Sequence, residues 1–116
     1  MISPRYCSIP TLAFGLGLLA GPVASAQDQP IPLEMVVHDH RFSPAEIHIP
    51  AGKPALLVIR NADATPEEVE SGPLGIEKVI PGGGQSKVRL RPLDSGRYPF
   101  FGEYHPETAQ GAVVAE

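Results

Sequence analysis

The residues of this chain that are suited to chemistry are carboxylates gathered around a single imidazole in its C-terminal half. Five glutamates and one histidine fall in the stretches "PEEVES" and "FFGEYHPETAQG": Glu67, Glu68, Glu70, Glu103, Glu107 and His105. Oxygen-rich donor sets with one or two nitrogens suit iron, manganese or a type-2-like copper(II) ion. The pattern therefore predicts a metal site with hard ligands.

Some of these residues also have a purely structural interpretation. Glu70 and Glu107 fit an exposed, solvated strand edge, and a glutamate and a histidine spaced like Glu103 and His105 are common in loops, where they bond to the backbone.

Carboxylates also stabilise Fe(III) more than Fe(II), because each anionic oxygen interacts more strongly with the higher charge. A site of this kind would pull bound ferrous iron toward oxidation.

The direction of the glutamates in "PEEVES" depends on strand phase. In an extended strand Glu67 is in phase with Val69, and Glu68 with Glu70. The two pairs then point to opposite faces, and phase alone leaves open which of them faces the site.

Two further histidines, His38 and His40 in "VVHDHRF", stand two residues apart. At that spacing they would share one face of the first strand, which is a loose metal-ligand spacing. By the same alternation Phe100 is expected in the core and Phe101 on the opposite face, either exposed as a candidate docking surface beside the acidic site or covered by residues 61–75.

The elements that must position these residues are short strands separated by turns. The 12 glycines and 14 prolines fall largely between apolar or alternating runs such as "AEIHIPAG" and "PALLVIRN". Short strands at roughly ten-residue spacing predict an all-β Greek-key β-sandwich of about seven or eight strands. Residues 61–75 are the least strand-like and the most acidic, and we expect them to cross the top of the sandwich or run along one edge.

The N-terminus reads as an export signal. Arg5, the apolar run "TLAFGLGLLAGPV" and the small residues 24–26 predict a signal peptide over residues 1–26, cleaved before Gln27. A flexible tether over 27–32 and one domain over 33–116 would follow, with no membrane span after cleavage. Cys7, the only cysteine, would be removed, so that the mature chain has no thiol for a disulfide, a catalytic cysteine or a zinc site.

Charge excludes one class of partner. Without Arg5, the mature chain keeps eight of the nine basic residues against 13 acidic ones, a net charge of about −5. Nucleic acid would require a basic face, so we expect no nucleic-acid partner.

Beyond these patterns, the order "FSPAEIHIPAGKPALLVIRN", "PEEVES", "IPGGG" and "SGRYPFFGEYHPETAQG" resembles a cupredoxin domain. More narrowly, the second and fourth stretches resemble the small periplasmic cupredoxin-like components of bacterial iron uptake, the FtrB type, with the cupredoxin domain of EfeO a more distant relative. The resemblance covers nearly the whole mature chain.

The resemblance also implies which ligands have changed. A blue-copper cysteine would stand three residues before His105, where this chain has Gly102, and the axial methionine would fall at Thr108 or Ala109. The first copper histidine would fall at "EE", Glu67 and Glu68. We therefore expect no blue-copper type-1 site.

The function that the resemblance implies is periplasmic and concerns ferrous iron uptake beside an iron permease or another uptake component. On this hypothesis Glu68, Glu103 and His105 bind a copper or iron ion and Glu67 assists. Register with the copper histidine favours Glu67, whereas the motif of the iron-linked group favours Glu68 and Glu70. The protein would then be a ferroxidase. The alternatives are a non-catalytic copper or iron carrier and a metal-free interaction module.

Overall fold

The computed structural model describes residues 2–4, 8, 10–19, 21 and 29–116, and in this part of the chain nine strands and no helix form two packed sheets. The strands are β1 (Ile31–His38), β2 (Arg41–Ser43), β3 (Glu46–Ile49), β4 (Ala55–Asn61), β5 (Glu67–Ser71), β6 (Ile76–Ile80), β7 (Gln85–Leu90), β8 (Gly96–Gly102) and β9 (Gln110–Ala115). The predicted all-β sandwich is confirmed. Its nine strands exceed the expected seven or eight because β2 and β5 form where the sequence shows little strand pattern.

Both sheets contain parallel as well as antiparallel neighbours. Sheet A has the order β2-β1-β4-β7, in which β1 and β4 are parallel. Sheet B has the order β3-β9-β8-β5-β6, in which β3 and β9 are parallel. The C-terminal strand thus lies inside sheet B, between β3 and β8.

Alternating strands supply the core between the sheets. In β4 every second residue is buried, because one face of the strand packs on sheet B. The fully buried large side chains are Met35, Val37, Leu57, Ile59, Glu67, Val69, Ile80 and Val113. Phe100 packs in the same core against Phe42, with ring centroids 5.3 Å apart. Glu67 is the one charged side chain among those eight.

The expectation for residues 61–75 was wrong in one respect. Residues 67–71 form β5, which pairs with β6 on one side and with β8 on the other. The segment therefore contributes an interior strand of sheet B. Its pattern was obscured because a buried position is taken by Glu67, and hydrophobicity does not mark a charged residue as buried.

At the N-terminal end, β1 begins at Ile31, so the last two residues of the predicted tether pair with β4. Residues 10–19 and 21 are exposed and form no strand or helix. The predicted cleavage motif at 24–26 and Cys7 lie outside the described residues. Across the described ranges, no helix combines the length and the apolar character that a bilayer crossing needs.

Candidate metal centre

Strand β5 presents its glutamates to two different sides of sheet B. Glu67 points into the sandwich and is 1% exposed, whereas Glu68 and Glu70 point outward and are half-buried. The four residues that the sequence assigned to one site lie in two clusters. Glu67 contacts His105 on the inside, and Glu68 lies with Glu103 on the outside.

The inner pair consists of Glu67 and His105. Oε2 of Glu67 lies 2.5 Å from Nδ1 of His105. Oε1 accepts the backbone N–H of Tyr104 at 3.0 Å and that of Glu68 at 3.2 Å. Both carboxylate oxygens of this buried side chain are therefore hydrogen-bonded, as burial of a charge requires. The pair ties β5 to the loop that follows β8.

Gly102, the last residue of β8, makes room for the inner pair. A Cβ built on Gly102 would lie 2.7 Å from Oε1 of Glu67 and 2.6 Å from the Cβ of Ala109. Both distances are shorter than real carbon contacts allow. The Glu67 carboxylate thus fills the space that a side chain at position 102 would occupy.

A second histidine joins the inner pair. The ring of His40 stacks on the ring of His105, with centroids 3.4 Å apart and planes 10° from parallel. The hydroxyl of Thr108 donates to the His40 carbonyl oxygen at 2.7 Å, which ties the same loop to the turn after β1. Three segments of the chain therefore meet at this end of the sandwich.

The turn that carries His40 is held by Asp63. Asp39 and His40 both have left-handed backbone conformations, with φ of 50° and 57°. The Asp63 carboxylate accepts the N–H of Asp39 at 2.8 Å and that of His40 at 3.0 Å. These bonds, that from His40 foremost, lower the pKa of the Asp63 carboxyl.

The expectation that His38 and His40 share a strand face was wrong. Strand β1 ends at His38, and His40 lies within the left-handed turn that follows. His38 is exposed, with Nε2 3.3 Å from Asp39 and Nδ1 3.9 Å from Asp63. Only His40 therefore reaches the inner pair.

The outer cluster consists of Glu68, Glu70 and Glu103. Each offers a carboxylate oxygen, and these oxygens all lie within 4.8 Å of one another. Glu77 adds a fourth carboxylate, because it faces Glu70 across the β5–β6 ladder. Three or four like charges at such distances repel unless a proton or a cation neutralises them.

The pKa values of the outer cluster show this repulsion. A hydrogen bond between the Glu70 and Glu103 carboxyl groups, followed by desolvation and the neighbouring charges, raises the pKa of Glu70 from 4.5 to about 7. Desolvation and the charges of Glu103 and Glu77 raise the pKa of Glu68 as well. The cluster thus retains a proton to near-neutral pH, which a bound cation would displace.

This proton makes stability depend on pH. The pKa of Glu70 is about 7 in the folded protein and about 4.5 unfolded. Between these values the unfolded state ionises first, so the free energy of unfolding falls as the pH rises from about 4.5 to 7. We expect Glu70→Gln to gain stability relative to wild type across this interval, in urea denaturation at low salt and without metal. Glu107→Gln, an exposed control, should parallel wild type; a Glu70→Gln difference independent of pH would contradict the prediction.

Three large apolar side chains border the outer cluster. Val79 faces Glu68 across the ladder and is 49% exposed, and Phe101 faces Glu70 and is 39% exposed. Tyr104 follows Glu103 and is 47% exposed. The predicted exposure of Phe101 is confirmed. Glu107, the remaining candidate from the sequence, is exposed in the loop after His105.

Sequence reasoning missed the part that His40 plays and the steric role of Gly102. The stacking of His40 depends on a left-handed turn at two residues that are not glycine. No local sequence pattern predicts such a turn. Gly102 was noticed as a position without a thiol, and its contact with Glu67 became visible only in three dimensions.

The chain matches a known domain family. The family model of the cupredoxin-like domain covers residues 10–115. An uncharacterized protein of Rickettsia prowazekii (strain Madrid E) is 36% identical over 87 residues, which are 75% of this chain and 70% of that protein.

Solved structures share the fold at low sequence identity. The metal-binding domain of the Cu(I)-exporting P-type ATPase CopA of Streptococcus pneumoniae D39, with Cu(I), has a TM-score of 0.65 at 20% identity, covering 73% of this chain and 84% of that one. Auracyanin A, a "blue" copper protein of Chloroflexus aurantiacus, has a TM-score of 0.61 at 15% identity, covering 76% and 100%. Amicyanin of Paracoccus versutus has a TM-score of 0.59 at 17% identity, covering 78% and 94%. Likeness at these identities establishes the fold alone.

Proposed function

Since the chain belongs to the cupredoxin-like domain family, we propose that it uses this sandwich to bind iron as cargo for ferrous iron uptake in a bacterial periplasm. The observation that carries the proposal is the convergence of Glu68, Glu70 and Glu103 within 4.8 Å on the outer side of sheet B. The iron-uptake setting and the export rest on the resemblance of "PEEVES" and "FFGEYHPETAQG" to the iron-linked group.

The outer cluster suits a hard cation. Its donors are carboxylate oxygens, which select iron, manganese, calcium or magnesium over soft metals. A cation here gains the attraction of three or four carboxylates and removes their mutual repulsion. Because the cluster is open on one side, water or a partner can supply the remaining ligands.

Copper in the loop of His105 is the other possibility that the family raises, and the residues there do not fit it. A metal about 2 Å from both Nδ1 of His105 and Oε2 of Glu67 would hold these atoms about 2.8–3.3 Å apart at ordinary coordination angles. They lie 2.5 Å apart, and Gly102 supplies no thiolate. We therefore derive no step through copper at this loop.

Oxidation of the cargo is the finer part of the proposal. Carboxylates stabilise Fe(III) over Fe(II), so iron in the outer cluster gives up an electron more readily than free Fe(II). Four Fe(II) ions each lose one electron, and one O₂ takes the four electrons and four protons to give two waters. The Fe(III) would then pass to an iron permease or another uptake component. Phe101 and Tyr104, exposed beside the cluster, offer that partner an apolar contact.

The test is an anaerobic Fe(II) titration of the full chain carrying Cys7→Ser, which removes the only thiol. We expect one equivalent to bind, and Glu68→Gln/Glu70→Gln/Glu103→Gln to weaken binding by at least about 100-fold, because all three ligands lose their charge. The matched control is Glu34→Gln/Asp94→Asn/Glu107→Gln, which removes three exposed carboxylates elsewhere and should bind as wild type does.

Oxygen uptake then separates the alternatives. An oxidase consumes one O₂ per four Fe(II) over many turnovers, and the triple variant at the outer cluster loses this activity. A carrier binds iron stoichiometrically and leaves the rate of oxygen uptake at that of free Fe(II). Binding that is equal in the triple variant and its control would refute the proposed site, and a wild type that binds no iron would favour a metal-free interaction module.

A further inference from the structure

We infer that the Glu67 carboxylate acts as a built-in substitute for metal in the His105 loop: it holds the loop closed and keeps copper away from His105. On this inference the loop needs no ion, and removal of the carboxylate creates a copper site. The inference concerns the inner side of sheet B and is independent of iron binding at the outer cluster.

The first step is that the space beside Gly102 is already filled. The Glu67 carboxylate fills the volume that a side chain at position 102 would take, with Oε1 2.7 Å and Cδ 2.8 Å from a Cβ built there. Ala109 closes the same space from the other side, at 2.6 Å. Close packing therefore leaves no volume for an ion between β5 and the end of β8.

The second step concerns the atoms around His105 that could bind an ion. Nδ1 of His105, the nitrogen directed at β5, is engaged by Oε2 of Glu67. One face of the ring is covered by the ring of His40. The hydroxyl of Thr108, one of the two residues where the resemblance places the axial ligand of a blue-copper protein, donates to the His40 carbonyl oxygen. Nδ1 of His105, the Glu67 carboxylate and the Thr108 hydroxyl are therefore each engaged within the chain.

The third step is the loop itself. The Glu67 carboxylate accepts the N–H of Tyr104, and the loop closes on itself through the N–H groups of Thr108 and Ala109, which both donate to the His105 carbonyl oxygen. An ion bound by the loop would organise these same residues. The hydrogen bonds to Glu67 therefore hold the loop in place without a metal, and Glu67 is a positioning residue for the loop.

The experiment measures Cu(II) binding by full chains that carry Cys7→Ser and the three glutamine substitutions of the outer cluster. The comparison is between the chain with Glu67, its His105→Ala variant, Glu67→Ala, and Glu67→Ala/His105→Ala. Titration calorimetry gives the affinity, and electron paramagnetic resonance shows whether an imidazole nitrogen binds the copper. The melting temperature of each protein is recorded with EDTA and with one equivalent of Cu(II).

With Glu67 present, we expect His105→Ala to change the Cu(II) affinity by less than about twofold and to leave any effect of Cu(II) on the melting temperature unchanged, because His105 binds no ion. Glu67→Ala should gain one Cu(II) site at least about tenfold tighter, with nitrogen coupling that Glu67→Ala/His105→Ala loses.

Two results would overturn the inference. The first is binding of Cu(II) that depends on His105, or a rise of the melting temperature on adding Cu(II) that His105→Ala abolishes, in the protein that retains Glu67. This arm needs only that protein and its His105→Ala variant, so it decides the matter even where Glu67→Ala does not fold. The second is a folded Glu67→Ala variant that gains no copper. Failure of iron binding at the outer cluster would leave all these outcomes unchanged.

Discussion

Replacing Glu67 by alanine is expected to lower the free energy of unfolding by about 3 kcal/mol, whereas the same change at Glu68 leaves it close to that of wild type. Glu67→Ala leaves the part-buried N–H of Tyr104 and the ring of His105 without their acceptor, and it opens a cavity between the sheets. Glu68 points outward into a cluster of like charges, and its loss relieves repulsion.

Thermal unfolding of the metal-free protein checks this contrast. For a domain of about 90 residues, 3 kcal/mol corresponds to a fall in melting temperature of about 12 °C or more. The two glutamates are adjacent in sequence and identical in chemistry, so each variant controls for the other. Equal melting temperatures for Glu67→Ala and Glu68→Ala would contradict the assignment of one to the inside and one to the outside of sheet B.

Gly82→Ala is expected to cost more than about 3 kcal/mol, or to prevent folding. A Cβ on Gly82 would lie 2.0 Å from the carbonyl oxygen of Ala64 and 2.5 Å from its carbonyl carbon. Overpacking against backbone exceeds the usual 1–3 kcal/mol of a crowded core, because backbone atoms cannot rotate away. The β6–β7 turn and residues 62–65 would have to separate.

The displacement caused by Gly82→Ala should also disturb the inner pair, and this gives the prediction a second readout. Gly83 N–H donates to the Asp63 carbonyl oxygen at 2.9 Å, and the Asp63 side chain holds the turn of His40. Separation of the turn from Ala64 therefore loosens the stack of His40 on His105, seen as a shift of both histidine ring resonances in NMR. Gly72→Ala, whose added Cβ meets nothing within 4 Å, is the control and should leave stability and resonances near wild type.

Alternation and turn chemistry were enough to predict the sandwich and several side-chain positions. Phe100 is buried as predicted, and so is Met35. The Tyr98 hydroxyl donates to the Asp94 carbonyl oxygen at 2.8 Å, a corner-type contact. His48 points outward, in keeping with its alternation with Ile47 and Ile49, and lies between Glu46 and Glu116. These features follow from residue type and from the two-residue alternation of a strand, and both can be read directly from the sequence.

The candidate site depended on information that the sequence does not hold locally. Which of Glu67 and Glu68 faces inward is a question of register, and a slip of one residue reverses every side chain of a strand. The inward choice depends on Gly102, 35 residues further along the chain, because only a residue without a side chain there leaves room for Glu67. The predicted donors were therefore the right kind of groups, and their division into an inner pair and an outer cluster required the fold.

The parallel pairing of β3 with β9 has a consequence for how the protein is made. Ile49 pairs with Ala115, so sheet B is completed only by a strand that lies far along the chain from β3. A ribosome must therefore have translated β9 before the native topology becomes available, and until then β3 and β8 lack the strand that lies between them. Sandwiches with such distant pairings fold in roughly milliseconds to seconds. Until β9 has been made, the edges of β3 and β8 with which it pairs are therefore open to chaperones and proteases.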